Sequence, residues 1–391
     1  MTRLRLPLPA FTAIRTILNT MHRMAYPFLG IFARGLGVDI AAMSLVLTAR
    51  SVVGGLGPFA ASVADSRGRR FGMLLGLGLF TLGTALVVFW PTFPALALTL
   101  ILTTLGKYLF DSSMHAYLGD HVPYERRGLA VAIAEMGWSL GFIVGVPLMG
   151  FFIARGGWMA PFPLLTLLGI LAFTGLFLLL PKEAKPVNGD NNLWTNFRSV
   201  LTHAPALAGL SLGLLASTAN ETVNLIFGVW LEDSFGLKIA ALGAASAVIG
   251  ISELGGESLV ALFTDRLGKP RAVVIGLLTN SVAALALPFI GGTEIGALIG
   301  LFFFYISFEF TLVTIISLMT QVLPEARATL ISFNVASLSL GRALGAPLAP
   351  WLYGFGFPAV AAGAVVFNGL ALLALRRMGK AGAVKGSAMH I

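Results

Sequence analysis

Long apolar blocks recur from one end of the chain to the other. Read between charged or Pro/Gly breaks, they number twelve, and each has the 18 or more residues that an α-helix needs to cross a bilayer. The pattern therefore predicts an all-α membrane protein with 12 transmembrane helices. The predicted spans are approximately 9–36, 40–63, 71–89, 93–118, 129–154, 159–180, 205–231, 239–263, 272–290, 295–321, 329–353 and 358–377.

The composition agrees with a membrane protein and excludes several soluble classes. Of the 391 residues, 57% are apolar and 11% are charged, whereas a soluble domain carries roughly 25% charged residues. The absence of cysteine excludes a disulfide scaffold, and a zinc domain is excluded as well. Arg15, His22 and Arg23 interrupt the first block, so it is predicted to be a span and not a signal peptide.

Basic residues are distributed unevenly between the two sets of loops. One set holds 18 Lys and Arg residues and the other holds three, namely Arg34, Arg155 and Lys238. Because cytoplasmic loops carry the excess of positive charge, both termini and the central loop are predicted to be cytoplasmic, in a cell (inner or plasma) membrane. The net charge of +9 is then a consequence of topology. The lipid bilayer is a predicted partner, and nucleic acid is not.

The two halves of the sequence match at an offset of 200 residues. The match runs without gaps over 51–150 and aligns loop residues as well as apolar ones. Asp65 pairs with Asp265 and Gly68 with Gly268, and the SLG sequence at 139–141 repeats at 339–341. The predicted domains are an N-terminal six-helix half (1–180), a cytoplasmic linker (181–204) and a C-terminal six-helix half (205–391), arranged as a parallel repeat.

Three loop sequences carry a family resemblance. ASVADSRGRR at 61–70 and its second copy ALFTDRLGK at 261–269 resemble the major facilitator superfamily signature G-x-x-x-D-R-x-G-R-[RK], with Ala in place of the first Gly. DHVPYERRG at 120–128 is similar to the family's D-x-x-P-x-x-x-R-G segment. The resemblance implies two six-helix halves that transport by alternating access, and a cytoplasmic latch. The predicted latch and gating residues are Asp65, Gly68, Arg69, Asp120, Arg127, Asp265, Arg50 and Arg342.

Small residues recur at one face of the fifth span. Gly137, Gly141, Gly145, Pro147 and Gly150 resemble the superfamily's antiporter-associated motif, although Val146 separates Gly145 from the proline. The alternative interpretation is ordinary close packing of helices through small residues. The motif therefore favours antiport without excluding a purely structural role.

Eleven ionisable residues fall inside the predicted spans. A charge at mid-bilayer costs on the order of 3 kcal/mol, so such residues face a partner or an aqueous cavity. The N-terminal half holds four basic and two acidic residues, and the C-terminal half holds one basic and four acidic residues. They are Arg15, Arg23, Arg50, Lys107, Asp111 and Glu135, then Glu221, Glu253, Glu257, Glu309 and Arg342.

Most of these residues form polar stripes on four spans. The resemblance implies that spans one, four, seven and ten line a central cavity, and all four carry a stripe. The predicted substrate and proton site therefore consists of Asn19, Arg23, Tyr26, Lys107, Asp111, His115, Glu221, Asn224 and Glu309. Asp111, Glu221 and Glu309 are the candidate proton carriers, because burial disfavours a charged carboxylate. The alternative is a permanent ion pair of Asp111 with Lys107 or Arg23.

No catalytic motif accompanies these stripes. The five histidines lack metal-ligand spacing, and no phosphate-binding loop is present, so neither an enzyme nor a metal or other cofactor is predicted. The predicted function is secondary active transport of a small organic solute, as a proton-coupled efflux antiporter acting as a monomer. An uptake symporter and a lipid or amphiphile flippase are alternatives, and a non-transporting membrane sensor is a more remote one.

Overall fold

A computed structural model describes residues 7–56, 67–181, 193–323 and 326–387. Within these ranges the regular structure is entirely helical, as predicted, and no strand is present. The chain divides into two compact units. One comprises residues 1–188 and 227–251, and the other comprises residues 189–226 and 252–391. The predicted halves differ from these units in that 227–251 groups with the first unit.

The helices are numbered α1 to α15 in chain order. Those of the first half are α1 (Pro7–Met24), α2 (Leu29–Leu36), α3 (Ile40–Gly54), α4 (Arg69–Phe89), α5 (Phe93–His121), α6 (Tyr124–Leu140), α7 (Val146–Gly156) and α8 (Pro161–Leu179), with a π-helical segment at Gly141–Gly145. Those of the second half are α9 (Leu193–Thr202), α10 (Ala204–Phe235), α11 (Ile239–Leu267), α12 (Lys269–Ile290), α13 (Glu294–Val322), α14 (Arg327–Tyr353) and α15 (Phe357–Ser387).

Eight uninterrupted helical segments in the described ranges are long and apolar enough to cross a membrane. They correspond to predicted spans three to six, eight to ten and twelve. The long helices α1, α10 and α14 are not among these eight, and each carries ionisable residues inside a predicted span, namely Arg15 and Arg23, Glu221, and Arg342.

The first predicted span is not one continuous helix. The structure interrupts 9–36 with a turn at residues 25–28, between α1 and α2. Pro27 has no N–H to continue the helical hydrogen bonds, and the Tyr26 N–H instead bonds to the Arg23 carbonyl at 3.2 Å. The prediction of a single helix here was wrong because it gave no weight to this proline.

The fifth predicted span contains the π-helical segment. Gly141 to Gly145 form one turn with wider hydrogen bonding, and Pro147 follows at the start of α7. A proline inside a span removes a helical hydrogen bond, and such π turns frequently occur at functional sites. The backbone irregularity lies directly beside the charged residues described below.

Equivalent turns precede α4 and α12. Gly68 has φ of +97° and Gly268 has φ of +78°, in the region that favours glycine over residues with a Cβ. Both glycines occupy matching positions of the 200-residue repeat. The turn after the signature loop therefore depends on glycine in both halves.

The segment 227–251 packs within the first unit. A Cβ added at Gly228 would lie 2.6 Å from the Pro27 carbonyl oxygen, so α10 closely approaches the turn between α1 and α2. Arg34 also forms a bidentate ion pair with Glu232, in which one N–O distance is 3.1 Å. Close glycine packing and a salt bridge together hold this segment against α2.

Candidate functional site

A charge network links α1, α5 and α6 in the first unit. Arg15 contacts two carboxylates, with its Nε 3.0 Å from Asp111 Oδ1 and its Nη1 2.7 Å from Glu135 Oε1. The same Nη1 also donates to the Ala134 carbonyl at 3.0 Å. Lys107 Nζ lies 2.6 Å from Asp111 Oδ2, one helical turn away on α5. Arg15 is therefore the group that connects the three helices.

The network is more exposed at one end than at the other. His115 Nε2 lies 2.7 Å from Glu135 Oε1, and these two side chains are 38% and 40% exposed. The exposed fractions of Arg15, Lys107 and Asp111 are 4%, 8% and 13%. The His115–Glu135 pair is therefore much more exposed than the Lys107–Asp111 pair. With a neutral imidazole, the two cations and two carboxylates sum to zero charge.

The polar stripe of α1 is directed at the backbone of α6. Four of its side chains donate hydrogen bonds to carbonyl oxygens of that helix. The donor and acceptor pairs are Thr12 with Ile133, Arg15 with Ala134, Asn19 with Gly137, and Arg23 with Trp138, at 2.9 to 3.2 Å. Asn19 and Arg23 were predicted to contact substrate, and here both side chains fasten α1 to α6.

The glycine stripe of the fifth span makes this approach possible. A Cβ added at Gly137 would lie 2.7 Å from the Arg15 Cβ, and one at Gly145 would overlap the Thr20 hydroxyl. Gly141 packs against Asn19 in the same way. Because small residues let helix backbones come close, the stripe brings the α1 donors within reach of the α6 carbonyls.

Two aromatic rings surround the Arg23 guanidinium. Its Cζ lies 4.2 Å from the Trp138 ring centroid and 3.5 Å from that of Phe142. Lys107 Nζ is 5.5 Å from the same Trp138 ring. Such cation–π contacts stabilise a desolvated cation by about 2 kcal/mol. Arg23 and Lys107, two of the basic residues predicted for the site, therefore both contact the Trp138 ring.

Arg50 is bound to the broken end of α1. It donates to the His22 carbonyl at 2.9 Å and to the Tyr26 hydroxyl at 2.9 Å. The His22 carbonyl is available because the helix ends before Pro27. Arg50 is 1% exposed, and no carboxylate pairs with it among the residues that the structure describes. Arg50 and Tyr26, assigned from sequence to gating and substrate binding, thus contact each other.

A second polar cluster lies on α10 and α13 in the second unit. The Asn224 amide donates to Glu221 Oε2 at 3.2 Å, and the Tyr305 hydroxyl donates to the Asn224 Oδ1 at 2.8 Å. Glu221 is fully buried, and a Cβ added at Gly345 of α14 would lie 2.6 Å from its Cβ. The structure therefore brings together polar residues of the seventh and tenth predicted spans.

Glu309 and Arg342 also belong to the second unit. Glu309 is 6% exposed on α13, and a Cβ added at Gly256 of α11 would lie 2.7 Å from the Glu309 Cβ. Arg342 is partly buried on α14. Glycines therefore allow close approach of a neighbouring helix at Glu309, as they do at Glu221.

One ion pair links two of the predicted latch residues. Arg69 Nε lies 3.1 Å from Asp120 Oδ2, so the start of α4 contacts the end of α5. Asp265 is exposed in the last turn of α11. Asp65 lies outside the described residues, as does the side chain of Arg127. The ion pair between Arg69 and Asp120 is therefore a contact between two predicted latch residues, and the latch itself stays a prediction.

Sequence reasoning gave no role to two central residues. Arg15 and Glu135 were recognised as charges inside the spans, yet neither was assigned to the site. Arg15 lies one turn before Asn19 on the stripe, and this spacing was the available signal. No comparable signal identified Trp138 as a partner of Arg23. No group of three or more acidic, His or Cys side chains in the described ranges has metal-binding geometry.

Comparison with known proteins identifies the class of this fold. The family model of the Major Facilitator Superfamily matches residues 12–335, and a second match covers 210–388. The chain therefore belongs to this superfamily, as its loop sequences indicated. It is a multi-pass membrane transporter and not an enzyme.

Three similar proteins are named transport or resistance proteins. The inner membrane transport protein YdhP of Escherichia coli K12 is 28% identical over 350 residues, 88% of each chain. The sialic acid transporter NanX of Escherichia coli K12 is 24% identical over 292 residues, 73% of this chain and 71% of its own. Multidrug resistance protein 2 of Bacillus subtilis is 23% identical over 329 residues, 81% of each chain.

A solved structure has the same fold. It is a bacterial homologue of the human lysosomal transporter Spinster, in an inward-facing and unoccupied conformation. The TM-score is 0.77 with 18% sequence identity, and the match covers 96% of this chain and 97% of that one. Together with the family-model match, this likeness confirms the predicted fold class, an all-α membrane protein of this superfamily.

Proposed function

We propose that this transporter is a proton-coupled exporter of a small organic solute, and that its proton is exchanged at the His115–Glu135 pair. The observation that carries the proposal is the charge network around Arg15. Its groups compensate one another, and its two most exposed members are an imidazole and a carboxylate in direct contact. Imidazole is the side chain that changes charge between pH 5 and 8. The chemistry of the pair and its exposure support this assignment.

Asp111 has a different part in this mechanism. Two cations, Lys107 and Arg15, contact its two oxygens, and their charges stabilise the ionised carboxylate. We therefore assign Asp111 a positioning role and place the proton on His115 or Glu135. A proton at either position raises the net charge of the network from zero to +1. If the proton goes to Glu135, Arg15 also loses an anionic partner and keeps Asp111 and the Ala134 carbonyl.

Antiport requires that proton and substrate oppose each other's binding. A positively charged network disfavours a cationic solute nearby, so protonation promotes release of such a solute. The glycine stripe beside the network and the name of the Bacillus relative support export. The polar cluster at Glu221, Asn224 and Tyr305 is the proposed second contact for substrate. Cytoplasmic termini, a plasma-membrane location and a monomeric transporter are part of the same proposal.

A flux assay in proteoliposomes tests the assignment. Ethidium, a lipophilic cation, serves as first probe within a solute panel, and a trapped pH dye reports protons. We expect His115→Gln and Glu135→Gln to reduce transport driven by a pH gradient at least tenfold, because the network can no longer exchange charge. Both variants retain exchange of the solute down its own gradient.

Two further variants sharpen the test. Glu294→Gln removes an exposed carboxylate at the start of α13 and should leave coupling unchanged. Glu221→Gln removes the charge of the carboxylate in the second cluster. If this variant alone loses proton-coupled transport, the proton site belongs at Glu221 and not at the His115–Glu135 pair. Unchanged coupling in both network variants contradicts the proposed site. Transport that follows a sodium gradient but not a pH gradient contradicts proton coupling itself.

A further inference from the structure

A long apolar groove runs along the second unit between α11, α12 and α13. Its volume is about 710 Å³. The residues of α12 that line it extend from Ile275 to Ile290, a distance of about 22 Å at 1.5 Å per residue. The hydrocarbon core of a bilayer is about 30 Å thick. The groove therefore accompanies a membrane-spanning helix through most of the apolar layer.

The groove is open at the surface and has no unsatisfied polar group. Val282 and Phe303 on its sides are 66% and 56% exposed. Its two hydroxyls are already used, since Thr279 donates to the Ile275 carbonyl at 2.9 Å and Ser307 to the Phe303 carbonyl at 2.7 Å. A ligand that lies in this groove must consequently be hydrocarbon.

Basic residues lie at one end of the groove. Arg271 is exposed and lies four residues before the lining residue Ile275, so it continues the same face of α12. Arg266 is exposed next to the lining residue Leu267, and Lys269 Nζ reaches the Ser317 carbonyl on α13 at 3.4 Å. The adjacent Asp265 removes one of these three positive charges. A net charge of about +2 thus remains where the groove meets the predicted cytoplasmic surface.

We propose that this groove binds an anionic phospholipid of the cytoplasmic leaflet. One acyl chain lies along α12, and Arg271 and Arg266 hold the phosphate. Basic pockets between transmembrane helices on the cytoplasmic side recognise anionic headgroups in this way. The ligand is separate from the transported solute, and its binding does not depend on the proposed proton coupling.

Two small lining residues and Arg271 are not repeated in the first half. Small residues, Ala286 and Gly300, line the groove, whereas the repeat-related positions in the first half are Leu86 and Leu100. Phe71 occupies the position that corresponds to Arg271. The first half therefore lacks both the space and the headgroup contact at these positions.

Native mass spectrometry of the full-length protein tests the proposal. The probes are phosphatidylglycerol and phosphatidylcholine with identical acyl chains, titrated into protein purified without added lipid. We expect one phosphatidylglycerol to bind at least fivefold more tightly than phosphatidylcholine. Arg271→Gln should reduce this preference about fivefold by removing one positive charge. Val282→Trp and Ala286→Trp should weaken the binding of both lipids, because the added indole fills the groove.

Matched variants serve as controls. Arg377→Gln removes an exposed arginine from α15, and Leu285→Trp adds the same bulk to an exposed position of α12 that does not line the groove. Neither should change lipid binding. Equal affinity for the two lipids in the wild type, or an Arg271→Gln variant that keeps the full preference, overturns the proposal. A third outcome would also overturn the proposal: the wild-type protein forms a dimer with no bound lipid, and Val282→Trp prevents this dimer from forming. The groove would then be the contact surface for a second copy of the chain.

Discussion

Replacing Arg15 with glutamine is expected to lower the free energy of unfolding by about 3 kcal/mol, the cost of breaking a buried ion pair on one side. Asp111 would retain Lys107 and Glu135 would retain His115, but α1 would lose its ionic contacts to both α5 and α6. The two carboxylates would then lack the cation that links them. The measurement is the unfolding transition of the purified protein in detergent.

A second substitution separates charge from packing in this prediction. The double variant Arg15→Gln/Glu135→Gln removes one carboxylate with the arginine and should recover part of the lost stability. Arg155→Gln, an exposed arginine of α7, is the control and should change stability by less than about 0.5 kcal/mol. If Arg15→Gln and Arg155→Gln unfold alike, the network makes no contribution to stability.

The second prediction is that Gly76→Leu destabilises the folded protein at least as much as Arg15→Gln does. Gly76 on α4 and Gly106 on α5 face each other, and a Cβ added to either glycine would overlap the other's carbonyl oxygen. The added side chain would also meet the Phe110 nitrogen, because a Cβ alone lies 2.9 Å from it. Overpacking a well-packed contact costs roughly 1–3 kcal/mol and occasionally more, and backbone atoms cannot move aside as a flexible side chain does. We expect a loss of folded protein in membranes, measured by fluorescence size-exclusion chromatography.

Gly78 provides the control for this prediction. It lies two residues further along α4, and a Cβ added there would have only one neighbour within 4 Å, Phe173, at 3.9 Å. Gly78→Leu therefore makes the same chemical change on the same helix without a clash. Similar yields for the two leucine variants would show that α4 and α5 separate at little cost.

The charge network illustrates which part of the site was accessible from sequence. Lys107 and Asp111 are four residues apart on one helix, so their pairing follows from helix geometry alone. Arg15 is separated from Asp111 by 96 residues and from Glu135 by 120, and no periodicity relates α1 to α6. The stripe of α1 was correctly recognised as polar. Its orientation toward the α6 backbone was not, because a stripe does not specify which neighbour it faces.

The sequence alone determined the class of this protein and much of its architecture. Apolar blocks of span length, the 200-residue repeat and the signature loops were sufficient, because hydrogen bonding in lipid permits only helices here and each span is encoded locally. The tertiary structure decided the partners: which carboxylates Arg15 joins, which rings surround Arg23 and where α1 breaks. These depend on distances between helices that glycines set, and such distances arise only when the helices pack.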